Sequence, residues 1–488
     1  MKKEIARDFV VYTTASYAVQ VLGVVTSLAM RYFLDPPLMG VWSLLDLMMK
    51  YGLYANLGIL PALNTELPIY IGKGDGPKAD KIRNVAFTFT LLSSALAGIV
   101  IVLVAFVFWG ALSHSTRVYM AASALILLAT SGYNYYISLL WAQKKFSILG
   151  KGIVLNALIY LALIFVLVSR FKLRGLLMTA FFSTAFTTLF LHWRLEEKPH
   201  FDLNKEVLWE LLKAGLPLMI VGFAYSFFMT VDRLIITRYL EIAALGQYSV
   251  AILMMTYSNT MPTLLANVIF PNLLERYGQT GSAKEISAFI TKPTILLSYA
   301  MPVILGMAYF IAPYLVEKFL PKYVPGIPAL RVLSLGSFFI SISQPVQNYL
   351  TTIYKRLHNL PIIFLGTVSA SLVSYGLISK GMGLVGVALG MSFGFFVYYV
   401  ALLFYVFKHF GTFRQAFLFL AENLTCFAYL VMTVIFLETW VRVSSALFGV
   451  ILKSAVFAIL CLPYGYMLDK KTGALKMLQA TLRRLAHD

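Results

Sequence analysis

The sequence predicts an all-α integral membrane protein of about fourteen transmembrane helices, built as two parallel-repeat six-helix lobes with two helices appended at the C-terminal end. Three observations predict this class. Hydrophobic residues make up 60% of the 488 and charged residues only 12%, whereas a soluble domain carries about a quarter charged. The apolar residues gather into stretches near the ~20-residue length that spans a bilayer. A stretch near the start of the chain recurs near its middle.

In chain order the apolar stretches lie near 9–31, 39–62, 85–109, 118–141, 152–169, 175–193, 215–237, 246–270, 293–316, 328–353, 359–379, 383–407, 418–438 and 446–468. The opening MKKEIARD leads straight into the first of them, without a small-residue cleavage pattern. An even number of crossings puts both termini on one side. Roughly two thirds of the 40 Lys and Arg fall on that side, which the positive-inside rule makes cytoplasmic. Lys50, Arg233 and Lys453 fall within spans instead. The connections are short. The longest cytoplasmic ones are 63–84, 194–214 (which includes a short amphipathic helix) and 271–292. The tail from Asp469 reads as a basic amphipathic helix lying on the inner membrane surface.

Composition also excludes. A formal charge of +19 would suggest nucleic acid in a soluble chain, but here loop placement accounts for it, so no nucleic-acid partner is expected. The two cysteines, Cys426 and Cys461, sit in apolar stretches, so neither a disulfide framework nor a zinc site is indicated. The chain has no G-x-x-x-x-G-K-[ST] loop and no histidine pair at metal-ligand spacing. No cofactor, metal or catalytic residue is therefore expected. A membrane glycosyltransferase would also need large outer loops, and the longest here is 317–328.

The repeat pairs 31-RYFLDPPLMGVWSLLDLMMKY-51 with 238-RYLEIAALGQYSVAILMMTY-257. With one residue's gap, Gly40 meets Gly246, Ser43 meets Ser249, Met48 and Met49 meet Met254 and Met255, and Tyr51 meets Tyr257. Gly72 and Lys78 meet Gly278 and Lys284 at the same offset of 206. Span 1 thus corresponds to span 7 and span 2 to span 8. Six spans separate the copies, so both halves enter the membrane in the same sense. The expected division is an N-terminal lobe over 1–198, a C-terminal lobe over 199–410, and an appended pair with its basic tail over 411–488. In transporters of this plan the substrate site lies between the lobes near the midplane, and access alternates as they rock.

The run 232-DRLIITRYL-240, followed by 246-GQYS-249, resembles the polysaccharide-flippase (O-antigen, Wzx-type) branch of the multidrug/oligosaccharidyl-lipid/polysaccharide exporter superfamily. So do the loops 70-YIGKGDGPKADKIRNVAF-87 and 277-YGQTGSAKEISAF-289. The resemblance implies a multi-pass flippase of the cytoplasmic membrane, acting as a monomer. It would carry a polyprenyl-(di)phosphate-linked oligosaccharide from the cytoplasmic to the outer leaflet for surface glycan synthesis. The partners implied are the lipid-linked glycan and membrane lipids, with H⁺ or Na⁺ coupling open. Two alternatives stand beside it: a lipid II flippase, and a Na⁺/H⁺-coupled cation or drug antiporter of the same superfamily. The lipid II flippase's arginine cluster in the first lobe has no evident counterpart here, since Lys50 is the one base at depth in spans 1–6.

A charge at the centre of a span costs about 2.5–3.5 kcal/mol on insertion scales. Lys50, roughly 18 Å into span 2, is expected to face a cavity and bind phosphate. Asp46 lies one turn earlier on the same face, tuning or releasing it; the alternative is a self-neutralised pair that fixes packing. Asp232 and Arg233 lie roughly 9 Å below the outer end of span 7, about 100° apart around the helix, with a gate role or a structural ion pair both open. Asn56, Asn259 and Gln347 are candidate cavity-lining groups, as are Asn134, Asn156, Gln344 and Asn348. Each can equally bond a neighbouring helix, worth about 0.6 kcal/mol on average. Lys453 is expected to snorkel outward. Asp46, Asp232 and Glu66 are the acids placed to couple to an ion.

Overall fold

The computed structural model describes residues 2–107, 113–282, 284–353, 356–441 and 445–472. Helices dominate, and no strand occurs among the described residues. The bilayer explains why: a spanning segment must satisfy every backbone N–H and C=O internally, which an open strand does not. Ten helical stretches are long and apolar enough to cross a membrane, making this a multi-pass membrane protein. One of the ten, Phe146–Arg194, contains two of the expected segments and turns at Lys172, whose φ is 51°. The expected segments 39–62, 118–141 and 246–270 are mostly helical, the first and last with a break, and fall outside the ten. Fourteen therefore remains an expectation from sequence. The tail expected to form a basic helix lies outside the described residues beyond Thr472.

The chain forms two compact units, residues 1–226 and 227–488. The first contains α1 (Lys2–Phe33), α2 (Pro36–Gly52), α3 (Ile59–Gly72), α4 (Gly76–Val107), α5 (His114–Ala142), α6 (Phe146–Leu163) and α7 (Ser169–Arg194). Most of α8 (Lys205–Phe228) also belongs to it. Its core gathers Ile59, Leu63 and Leu67 of α3, Ile82 and Val85 of α4, and Tyr135 and Leu139 of α5. Val207 and Leu211 of α8 join the same cluster.

The first compact unit runs through Ser226 and includes the connector that follows α7. The connector 195–204 is strapped to α4. Arg83 pairs with Glu197, the Asn84 side chain bonds His200 through both its amide atoms at 3.0 and 3.1 Å, and the Asp202 N–H donates to Thr88 Oγ1 at 2.9 Å. Asn84 is 2% exposed while its partner His200 is exposed, so removing the amide releases the strap without stranding a buried group. We expect Asn84→Ala to cost about 0.5–1.5 kcal/mol. The checks are thermal unfolding in detergent and faster proteolysis within 195–204.

The loop between α3 and α4 shows what the Tyr-Gly-Asp pattern does locally. Gly74 takes the left-handed backbone (φ 75°), and Asp75 Oδ1 accepts from the Lys78 N–H at 3.0 Å, capping α4. Tyr70 donates to Glu210 at 2.7 Å, Lys78 pairs with the same carboxylate at 2.5 Å, and Lys73 lies 5.0 Å from the Tyr70 ring centroid. The hydrogen bond to Glu210 holds the Tyr70 phenol above its ordinary pKa.

The second unit contains α9 (Val231–Tyr239), α10 (Ile242–Ser258), α11 (Thr260–Thr280), α12 (Ala288–Phe319) and α13 (Ile327–Thr352). It continues with α14 (Asn359–Ser379), α15 (Gly383–Phe407), α16 (Phe413–Trp440), α17 (Ala446–Leu460) and α18 (Leu462–Thr472). Its tightest helix pair, α14 with α15, meets through small residues. A Cβ on Gly390 would overlap Ser374, and one on Gly394 would press on Ala370, the close approach that drives helix association where no hydrophobic effect operates between helices.

The repeat survives in the helix bounds. α2 (Pro36–Gly52) and α10 (Ile242–Ser258) are both 17 residues long, and their bounds differ by the offset of 206 read from the letters. Each follows an acidic residue in extended backbone, Asp35 and Glu241. Each ends partway through its expected span.

Candidate functional site

The first unit carries a pocket beside the end of α2. Asp46 and Lys50, one helical turn apart, form an ion pair at 2.8 Å, with side chains 30% and 47% exposed. Lys50 lies in the last turn of α2, where the helix dipole favours a cation. Beyond Gly52 the span unwinds through a 3-10 turn, Leu53–Asn56. Leu57 (φ 51°) and Gly58 (φ 83°) then adopt left-handed backbone, and α3 begins at Ile59. Asn56 holds the break, its Oδ1 accepting from the Gly58 N–H at 2.9 Å. Gly58 has a second duty, because a Cβ there would overlap the backbone carbonyl of Gly215 in α8. Pro61 sits in the first turn of α3, where a missing N–H costs no helical bond.

Irregular backbone at membrane depth is tolerated where it is packed in protein or lines a cavity. Here it lines one of about 470 Å³, bounded by Lys50, Tyr54, Asn56 and Gly58, by Asn134 and Ser138 of α5, and by Gly222 and Ser226 of α8. Among the described residues that line it, Lys50 is the one that carries a charge. Tyr54 Oη donates to the Gly222 carbonyl at 3.1 Å, tying the turn to α8. The pocket thus offers an ammonium, two amides and hydroxyls beside the N-terminal end of a half-helix, whose dipole is positive. That set suits a phosphate ester carrying hydroxylated groups.

The sequence-predicted residues divide between the units. Lys50 and Asn56 share the pocket; Asp46 supports it through Lys50. In the second unit, Asp232 is fully buried and Arg233 is 7% exposed. Asp232 occupies the first turn of α9, and its Oδ1 accepts from the Arg233 N–H at 2.8 Å, the placement of an acid at a positive helix end. Asn259 follows the end of α10, donating to the Met255 carbonyl at 3.1 Å and accepting from Ser341 at 3.5 Å. Gln347 has a buried Oε1 with no hydrogen-bond partner among the described residues. Asn156 bonds Thr187 across α6 and α7 at 3.3 Å. Lys453, expected to snorkel, is instead bound to Glu438 at 2.6 Å, because α16 and α17 fold back on each other. Tyr54 and Ser138 were not anticipated. The Asn-x-Gly at 56–58 is the signal that could have marked the break.

A polar pocket beside a broken helix, in a multi-pass membrane chain whose helix bounds repeat, is the arrangement of a transporter-like fold. The solved structures agree. The lipid II flippase MurJ in an inward closed conformation is similar over 95% of this chain and 99% of its own, with 12% identity and a TM-score of 0.69. An inward-facing multidrug resistance MATE family transporter of the MOP superfamily is similar over 80% of this chain and 94% of its own, with 17% identity and a TM-score of 0.67. An uncharacterized membrane protein of Methanocaldococcus jannaschii is 26% identical over 200 residues, 40% of this chain and 39% of the relative. The chain thus matches about two fifths of that relative's length. The family model described as "Polysaccharide biosynthesis protein" matches residues 77–323. The chain belongs to that family and has the fold of the MOP-superfamily exporters.

Proposed function

We propose that the chain is a flippase that carries a polyprenyl-(di)phosphate-linked oligosaccharide from the cytoplasmic to the outer leaflet by alternating access, with both termini cytoplasmic. Membership of the polysaccharide biosynthesis family supports the glycan side of this reading. The observation that carries it is the charge of the pocket: its one ionic lining residue is the cation Lys50. A pocket selecting lipophilic cations favours a carboxylate, and a phosphate pocket favours a base. Asp46 keeps Lys50 neutralised while the pocket is empty and yields it when phosphate arrives. The amides of Asn56 and Asn134 and the hydroxyl of Ser138 accept and donate to sugar hydroxyls.

The test is transport in proteoliposomes. Purified protein is offered a fluorescent polyprenyl-diphosphate oligosaccharide and, in parallel, a lipophilic cationic dye under a H⁺ or Na⁺ gradient. Glycolipid crossing without dye movement is expected. Dye movement without glycolipid crossing would replace the flippase by the antiporter and make Asp46 the residue of interest.

A further inference from the structure

A second cavity, of about 330 Å³, lies in the second unit where α12 and α16 finish and α13 and α17 begin. Arg331 is four residues into α13 and Lys453 seven into α17, so both sit about 6–10 Å below the helix ends. Spanning helices end at the headgroup region, which adds about 5–7 Å to each side of the hydrocarbon core, so a cavity at these helix ends opens toward headgroups. Phe310 and Val450 give the cavity apolar walls.

The charges inside are unequally used. Glu438 pairs closely with Lys453 at 2.6 Å but reaches Arg331 only at 3.4 Å. The Arg331 guanidinium lies 5.2 Å from the Tyr309 ring centroid, and its buried Nε has no hydrogen-bond partner among the described residues. A guanidinium has five donors in a planar fork suited to bidentate phosphate, so most of this capacity stands open. Glu317 also lines the cavity and is exposed, without an ion-pair partner among the described residues. Two cations and two carboxylates balance to zero: Glu438 is shared, closely by Lys453 and loosely by Arg331, which leaves Arg331 only partly used and Glu317 opposite it.

We propose that this cavity binds the headgroup of a zwitterionic phospholipid from the leaflet at that end of the unit. Arg331 holds the phosphate, Glu317 receives the ammonium, and the Glu438–Lys453 pair positions Arg331. A purely anionic headgroup gains the Arg331 contact but meets the Glu317 charge, so the site discriminates by the ammonium.

The test is native mass spectrometry of the full chain in detergent, titrated with phosphatidylethanolamine or phosphatidylglycerol of identical acyl chains. Wild type is expected to retain phosphatidylethanolamine with about fivefold preference, and Arg331→Met to lose about tenfold in binding of both lipids. Glu317→Gln should abolish the preference while leaving phosphatidylglycerol bound. Should Arg331→Met unfold in lipid-free detergent, the exposed Glu317→Gln change and Arg331→Lys decide instead, Arg331→Lys retaining charge but weakening both lipids. Equal wild-type retention of the two lipids, or unchanged binding in the Arg331 variants, overturns the proposal.

Discussion

Replacing Lys50 by Ala is expected to reduce glycolipid crossing in proteoliposomes to the protein-free background while leaving the fold intact. The two halves of this expectation have separate causes. An exposed i,i+4 pair contributes about 0.3–0.5 kcal/mol, and the Lys50 and Asp46 side chains are 47% and 30% exposed, so unfolding in detergent should barely shift. The transport loss arises because the pocket has no second cation among its lining residues. Without Lys50, the Asp46 carboxylate remains one turn from the pocket and repels a phosphate instead of yielding a cation to it. Lys50→Arg should keep part of the rate, since charge is retained while shape changes. Normal glycolipid crossing by Lys50→Ala would remove Lys50 from the site. Asp232→Asn, in the second unit, should change rate or stability less sharply; a complete transport loss there would rank it above Lys50.

Gly58→Ala is expected to act in the opposite way, on stability first. At φ 83° an alanine pays about 1–2 kcal/mol for left-handed backbone. Its Cβ would also overlap the Gly215 carbonyl, adding about 1–3 kcal/mol of overpacking. Together the expected destabilisation is about 2–5 kcal/mol by equilibrium unfolding in detergent. Gly215→Ala separates the causes. It lies within α8, where alanine is favourable for backbone, so it should show only the overlap. Equal losses from the two variants would mean the left-handed turn is not what Gly58 supplies. A wild-type value for both would remove the close contact between α3 and α8 from the fold.

The sequence by itself determined the class of the protein, the apolar stretches that become helix and its internal repeat. These properties are local. A stretch of apolar residues in lipid has little choice but helix, and the residues that stop a helix lie beside its ends. Asp35 and Glu241 therefore mark the starts of α2 and α10, and the offset of 206 between their letters reappears in their bounds. Lys50 stands out in the sequence for the same reason, because a base within an apolar stretch is costly wherever its neighbours lie.

Tertiary structure alone decided which groups share a space. Asn134 and Ser138 reach the Lys50 pocket from α5, about eighty residues away, and Asn56 spends its carbonyl on Gly58 to hold the broken turn. Asp232 and Arg233 look like Lys50 in the sequence, yet both are buried within the second unit. Lys453 finds Glu438 only because α16 and α17 fold back on each other. The physical reason is common to all of these. A helix apolar all round its surface carries no stripe that says which face turns to protein, cavity or lipid. Its rotation and neighbours are settled by packing instead, through contacts such as Gly58 on Gly215 and Gly390 on Ser374.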